Sequence, residues 1–424
     1  MEIMIKICSA IGTLLMIFKL YQYLYYIGIF KSQKFPSAKV FHNYAICIPA
    51  RNEEKVIINL LESIVNQDYP HKRLTVFVVA DNCTDNTSQK VKEFAKNCDV
   101  NIVCYEHNNK NERTKGFALR YLFNKIKDDY TIENFDAYFI FDSDNVLAGD
   151  YITRMNEAFD AGNKIVTSFR NSKNVYQNWI SFSYAQHWLR TCLYEHRGKS
   201  VLNLACRIQG TGFMFSNELV KNGWNYTSLT EDRAFCSDAV VQGYNITYCE
   251  AAKFYDEQPY KLKIALRQRV RWAKGHLQSS VENCPKLLKN SCKLDKNTAK
   301  SIDCFWLNFP GSIESAVRKL ITWTCQIIIG IQASRVLGVL AGISLSILSG
   351  LAMSWLGNMG FTLFCCIYYH KQLPKTNFFK FIYLIFMSPL FYKIGEYCSY
   401  IALFKKVDWK PIPHDYTVDI KKLK

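Results

Sequence analysis

The feature that most limits how this chain can fold is the uneven spread of its apolar residues, which gather at both ends and leave a mixed middle. Ile7 to Phe30 is almost wholly apolar, interrupted by Lys19 and Gln22, and about 20 such residues span a bilayer. A cleaved leader is the rival reading, but no small-residue cleavage site follows, and Tyr21 to Tyr26 form an aromatic belt instead. Lys31, Lys34 and Lys39 follow this stretch and Lys6 alone precedes it, so the positive-inside rule puts the middle region in the cytosol. The second block, Ile321 to Tyr369, is about twice the length of one span. Arg335 and the Gly357/Gly360 pair divide it into two predicted helices. Phe378 to Phe404 could span again, but it holds Pro389, Lys393 and Glu396, which also suits a re-entrant or interfacial hairpin. The Lys-rich tail from Lys405 favours a cytosolic C-terminus. The expectation is a multi-pass protein of the cell membrane, with Lys, Asn and Ile usage pointing to a bacterial cytoplasmic membrane.

Composition narrows the middle region. Of 424 residues, 49% are hydrophobic and 15% aromatic, which excludes disorder, collagen-like repeats and small disulfide scaffolds. The net charge of +17 suits nucleic acid, an anionic membrane or a phosphate-bearing substrate. Nucleic acid fits worst, because the basic residues concentrate near apolar segments instead of interleaving with exposed aromatics. The 16 cysteines are scattered, with no CxxC pair and no Cys/His cluster at zinc-ligand spacing, which implies a reducing compartment.

The middle reads as α/β. Tyr44-Ala-Ile-Cys-Ile-Pro-Ala is a short β-rich run. Glu53 to Gln67 carries Val56, Leu60, Leu61 and Ile64 at helical spacing, and Leu74-Thr-Val-Phe-Val-Val-Ala is a buried strand stopping at Asp81. Strand, helix and strand make a βαβ unit of a parallel sheet, where ligands bind beyond the carboxyl ends of the strands. Asn52, Glu53 and Asp81 lie there. No GxGxxG follows the first strand, so a dinucleotide fold of the usual kind is not supported.

A third predicted strand, Ala137-Tyr-Phe-Ile-Phe, runs into Asp142-Ser-Asp144. Two carboxylates at i and i+2 on a strand end can converge on one hard cation, and Mg²⁺ bound this way keeps waters and shares a substrate diphosphate. Acidic turns are common, so the strand context carries this reading. Thr230-Glu231-Asp232 precedes a helical stretch, where an acidic helix start is the blander account. Gln268-Arg269-Val-Arg271-Trp272 sits in a basic amphipathic segment from Tyr260 to about Leu287, with Lys261, Lys263 and Lys274. A cationic helix lying on anionic lipid explains part of that pattern.

Taken in order, Asp81, Asp142-x-Asp144, Thr230-Glu231-Asp232 and Gln268-x-x-Arg271-Trp272 resemble the four signatures of membrane-bound family 2 glycosyltransferases, the group of cellulose, chitin, hyaluronan and poly-N-acetylglucosamine synthases. The resemblance runs from about Tyr44 to Gly275. It implies a GT-A (Rossmann-like) cytosolic domain between N- and C-terminal transmembrane helices. Lys115-Gly116-x-Ala118-Leu119 resembles the family's Lys-containing segment near the nucleotide, and Gly210-Thr211-Gly212 its acceptor-side loop. By this resemblance Asp142 and Asp144 hold Mg²⁺ or Mn²⁺, and Arg271 helps neutralise the diphosphate. Asn52, Glu53, Asp81 and Lys115 bind a UDP-sugar. Asp232 is the general base of an inverting transfer, while Gln268 and Trp272 hold the acceptor sugar.

The implied domains are an N-terminal anchor and linker (1–42), the catalytic domain (43–258), amphipathic interface helices (259–319) and a C-terminal membrane region with a basic tail (320–424). The implied activity is extension of a β-linked polysaccharide, with secretion needing more helices than one chain offers; a second copy or an accessory secretion protein could supply them. Single-sugar transfer to a membrane lipid is the alternative within the enzyme class. A non-enzymatic basic protein binding membrane lipids is the alternative outside it.

Overall fold

The computed structural model describes residues 20–311, 336–407 and 410–418, with scattered residues of 3–10 and 313–328. The expected first span therefore lies mostly outside the described residues. Of it, Tyr21–Tyr26 forms a 3-10 helix and Ile27–Phe30 one α-helical turn. The tyrosines do not make one outward belt. Tyr25 is buried and, with Tyr21, donates its hydroxyl to Asp303, whereas Tyr23 and Tyr26 are exposed. Gly28 lies against the backbone at Gly198 with no room for a Cβ.

The middle of the chain forms an eight-stranded mixed sheet in the order β3-β2-β1-β4-β7-β6-β8-β5. The strands are β1 (Tyr44–Ala50), β2 (Leu74–Asp81), β3 (Asn101–His107), β4 (Ala137–Ile140), β5 (Val146–Leu147), β6 (Ile165–Ser172), β7 (Phe213–Ser216) and β8 (Ile246–Asp256). β1 pairs in parallel with β2 and β4, and β2 with β3. The direction then reverses, because β7 runs antiparallel to both β4 and β6.

Both faces of the parallel part are covered, as its continuous apolar runs require. Alternation along β1 sends Ala45 and Cys47 to one layer and Tyr44, Ile46 and Ile48 to the other. The first layer is closed by α3 (Lys115–Asp129) through Leu119, Leu122 and Phe123, and by α6 (Glu231–Val241) through Ala239 and Val240. The second is closed by α1 (Ile57–Val65), α2 (Thr87–Ala95) and α4 (Tyr151–Asp160). The helix predicted from Glu53 begins later, at Ile57. Asn52 sits at φ 57°, and the N–H groups of Glu53 and Glu54 donate to Thr87 Oγ1 and Asp85 Oδ2 instead of a helix.

Beyond α5 (Trp179–Arg190), a 30-residue helix α7 (Leu262–Ser291) leads into α8 (Thr298–Asn308). The C-terminal part holds α9 (Val336–Tyr368) and α10 (Phe378–Phe404). Within α9, the stretch Leu340–Tyr368, and all of α10, are long and apolar enough to cross a membrane. Two expectations change here. The Gly357/Gly360 pair does not divide the apolar block, because α9 runs through both; Arg335 lies outside the described residues. The α10 helix likewise stays continuous through Pro389. Proline removes the donor for the carbonyl four residues back, and the Ser388 hydroxyl donates to that carbonyl, Ile385, at 2.9 Å.

Candidate active site

Where the sheet changes direction, the carboxyl ends of β1, β2 and β4 open into a cavity of about 500 Å³. Asp142 and Asp144 follow the buried strand β4 into this cavity. The Asp142 N–H donates to Thr211 Oγ1 at 2.9 Å, and the Asn145 N–H donates back to the Asp142 carbonyl at 3.0 Å, which turns the chain. Asp144 Oδ2 accepts from the Glu257 N–H at 2.7 Å. Burial works to raise the Asp144 carboxyl, but the charges of His414, Lys173 and Arg170 hold it below its ordinary value.

Lys115 stands at the first turn of α3, where Gly116 is pressed on the Tyr226 carbonyl without space for a Cβ. Its ammonium donates to Asp142 and to the Gly210 carbonyl, and lies 3.9 Å from Glu231. Burial opposes its charge, yet Asp142 and Glu231 keep it protonated above the ordinary lysine range. Gly210 and Gly212 have φ of 82° and 66°, and a Cβ on Gly212 would run into the Phe254 ring. The Gly210-Thr211-Gly212 loop thus links the two sides, with Thr211 bonded to the Asp142 N–H and a Cβ on the cavity-lining Gly210 placed 3.8 Å from Asp232 Oδ2.

Glu231 and Asp232 occupy the first turn of α6 and both line the cavity. Burial raises the Glu231 carboxyl, and the neighbouring Asp232 adds to this against the pull of Lys115. Opposite them, α7 carries Gln268, Arg271 and Trp272 along the cavity wall. Burial lowers the Arg271 guanidinium from its usual range while Glu231, Asp142 and Asp232 support its charge. Gln268 Oε1 is buried with no hydrogen-bond partner among the described residues, the condition of a polar group that serves a ligand.

Trp272 faces the cavity and packs against α5. It meets Tyr184 and Trp188 of α5 edge-on, each with centroids 5.9 Å apart. The Arg170 guanidinium stacks 3.7 Å above Trp188 and pairs with Asp256, its Nε 2.9 Å from Oδ2. Lys274 is also engaged, donating to the Ala402 carbonyl of α10 at 3.0 Å.

The structure therefore brings Glu53, Asp81, Lys115, Asp142, Asp144, Asp232, Gln268, Arg271 and Trp272 to one cavity. Asp81 is held by Arg51 and by His107, whose Nδ1 is 2.9 Å from Oδ1. Asn52 is the exception. It is exposed, does not line the cavity, and its Oδ1 accepts from the Thr84 N–H at 2.7 Å. Sequence reading missed Arg170, Trp188 and the Asp256-Glu257-Gln258 run ending β8, whose only signal was a cluster of polar residues after a strand.

No group of three or more metal-competent side chains occurs among the described residues. Two carboxylates, one of them kept ionised, still fit a divalent ion that draws its other ligands from water and phosphate oxygens.

A sequence model described as "Glycosyltransferase like family 2" matches residues 42–275. A probable glycosyltransferase, YdaM, of Bacillus subtilis is 28% identical over 251 residues, 55% of this chain and 54% of that protein. A poly-beta-1,6-N-acetyl-D-glucosamine synthase of Staphylococcus epidermidis is 27% identical over 53% of this chain and 52% of its own. A beta-monoglucosyldiacylglycerol synthase of Nostoc sp. is 24% identical over 58% and 51%. The aligned part thus spans about half the length of these curated relatives. Among solved structures, the mannosyltransferase PcManGT of Pyrobaculum calidifontis, in complex with GDP-Man and Mn²⁺, superposes with a TM-score of 0.58 at 14% identity, covering 94% of this chain and 98% of that one. The fold is GT-A-like. The chain belongs to glycosyltransferase family 2.

Proposed function

We propose that this family 2 glycosyltransferase moves a hexosyl unit from a UDP-sugar to a growing β-linked polysaccharide, with inversion at the anomeric carbon. The observation that carries the reading is the meeting of Asp142/Asp144, Asp232 and Arg271/Trp272 in one cavity from three separate elements.

In this reading Glu53 and Asp81 hold the nucleoside at the ends of β1 and β2, while Asn52 acts on its loop and not on the donor. Asp142 and Asp144 hold Mg²⁺ or Mn²⁺, which when bound offsets the charge of the diphosphate. Arg271 pairs with phosphate oxygens through its planar guanidinium. Lys115 releases part of its hold on Asp142 to face the same oxygens. The acceptor hydroxyl lies between Asp232 and the anomeric carbon. Its oxygen bonds to that carbon as the carbon–oxygen bond to the diphosphate breaks, and its proton passes to Asp232. Trp272 gives the acceptor sugar a flat apolar wall, and Gln268 Oε1 accepts from one of its hydroxyls. The GDP-Man and Mn²⁺ bound by PcManGT support a nucleotide-sugar donor and a divalent ion.

A lipid acceptor is the second reading, favoured by one specific observation. The cavity wall continues along α10 through Phe391, Tyr392, Gly395 and Ser399, on a helix long enough to cross a membrane. The Nostoc relative is by name a synthase of a glucosylated diacylglycerol. Either reading puts residues 43–258 in the cytosol as the catalytic domain, with 259–319 at the interface and 320–424 contributing the membrane helices. Full-length protein in detergent, incubated with a panel of UDP-sugars and Mg²⁺ or Mn²⁺, should yield a ladder of β-linked oligomers. A single glycolipid would establish the second reading, and no product from any donor would refute both.

A further inference from the structure

After α10 the chain does not leave the catalytic domain. Residues 410–418 run back across the cavity, and Lys410, Pro411, Ile412 and His414 line it. The attachment is polar and specific. His414 Nδ1 lies 3.0 and 3.1 Å from the two carboxylate oxygens of Glu53. Glu257 Oε2 accepts the N–H groups of Asp415 and Tyr416 at 3.0 and 2.8 Å. Lys173 donates to the Tyr416 carbonyl at 2.9 Å, and Arg267 to the Pro411 carbonyl at 2.7 Å. Asn59 closes the run, donating to the Val418 carbonyl at 3.0 Å and accepting its N–H at 3.2 Å.

This strap supplies the support of one cavity carboxylate, Glu53. Glu53 follows β1 in a loop whose backbone is fixed by Thr87, but among the described residues its carboxylate has no hydrogen-bond partner other than His414. With 11% of that side chain exposed, a carboxylate without a partner would turn away or take up a proton. The strap is also tied to the far side of the cavity, because Glu257 binds the strap with its side chain and Asp144 with its N–H.

We propose that the strap forms one wall of the nucleotide-sugar subsite, with His414 as a positioning residue that fixes Glu53 for the donor. The proposal rests on the donor-binding reading above. The apolar contribution of the strap is small, since Pro411 and Tyr416 are exposed, so its function and not the stability of the domain should suffer when it is altered.

The test compares the protein in detergent with His414→Ala, His414→Lys and Lys92→Ala. UDP and GDP binding are followed by calorimetry, and turnover with the donor that the unaltered protein uses. His414→Ala should raise the donor KM and the nucleotide Kd by about tenfold or more, as expected for one lost charge-assisted bond, with kcat and melting temperature little changed. His414→Lys, which restores a cationic donor opposite Glu53, should recover part of that loss. Lys92→Ala removes only an exposed ion pair with Glu106, outside the cavity and the strap, and should behave as the unaltered protein. An unchanged KM in His414→Ala would overturn the proposal, and so would a lower one, which would make the strap an inhibitory plug. If the unaltered protein bound neither nucleotide, the donor-site reading itself would fall, an outcome separable from the behaviour of the variants.

Discussion

Gly275 of α7 lies so close to Thr230, the residue before α6, that a Cβ on the glycine would sit 2.5 Å from Thr230 Cγ2. This approach is what sets Arg271 and Trp272 opposite Asp232. Gly275→Ala should push the two helices apart, costing about 1–3 kcal/mol of stability by overpacking. Because small misplacements in a site cost up to about a hundredfold in rate, turnover should fall further than the melting temperature suggests. Thr230→Ala in the same chain removes both colliding atoms and should restore activity. Strictly additive losses in the double variant would show that the contact does not set the geometry.

Asp144 tests the cation site. Asp144→Asn keeps the shape and the Glu257 N–H bond, but a neutral amide is a poor ligand for a hard cation. Turnover should be abolished with the fold intact by circular dichroism. Retention of a third of the original activity, or full activity of the unaltered protein in EDTA, would contradict the assignment.

The two carboxylates opening α6 are separable. Asp232→Asn should bind UDP normally and transfer sugar about a hundredfold or more slowly, the usual contribution of a general base. Glu231→Gln should be milder, since Glu231 is the residue beside the Lys115 ammonium. Rapid transfer by Asp232→Asn, together with a dead Glu231→Gln, would exchange their roles.

Two histidines, His196 buried and His276 half-buried, should make stability depend on pH. Burial lowers both His196 and His276 from 6.5 to about 3, with Arg207 and Arg233 respectively adding to the effect. A depressed pKa means that the unfolded chain binds more protons between pH 6.5 and about 3, so stability is full above this window and falls with pH inside it. Each histidine contributes a slope of up to about 1.4 kcal/mol per pH unit. Melting temperature should therefore drop from pH 6.5 to pH 5, and His276→Asn should flatten that slope. An identical slope in the variant would remove His276 from the explanation.

Much of the catalytic half was legible because its signals are local. The apolar run of β1 and the carboxylates after β4 declare themselves within a few residues, and the same is true of the acidic turn of α6 and the arginine and tryptophan of α7. β3 escaped because it is a half-exposed edge strand whose apolar run, Ile102 to Tyr105, is short and flanked by polar residues. Arg170, Glu257 and His414 escaped for a different reason: each acts through partners far along the chain, His414 through Glu53 at a separation of 361 residues. The glycine pair in α9 misled because a glycine in a long apolar helix with open space around it need not end the helix.

The guanidinium of Arg269 stacks 3.6 Å over Phe391 and donates to the Phe391 carbonyl at 2.6 Å, filling the space that Gly395 leaves open on α10. Two residues later on α7 comes Arg271. A joint this tight has no slack: if α10 sits in a bilayer and Arg271 meets the leaving group as proposed, any tilt that the helix takes to match the thickness of the hydrocarbon is handed to Arg271. Lipid chain length then becomes a variable of the reaction, and turnover in reconstituted vesicles should be tuned by the membrane as directly as by the donor.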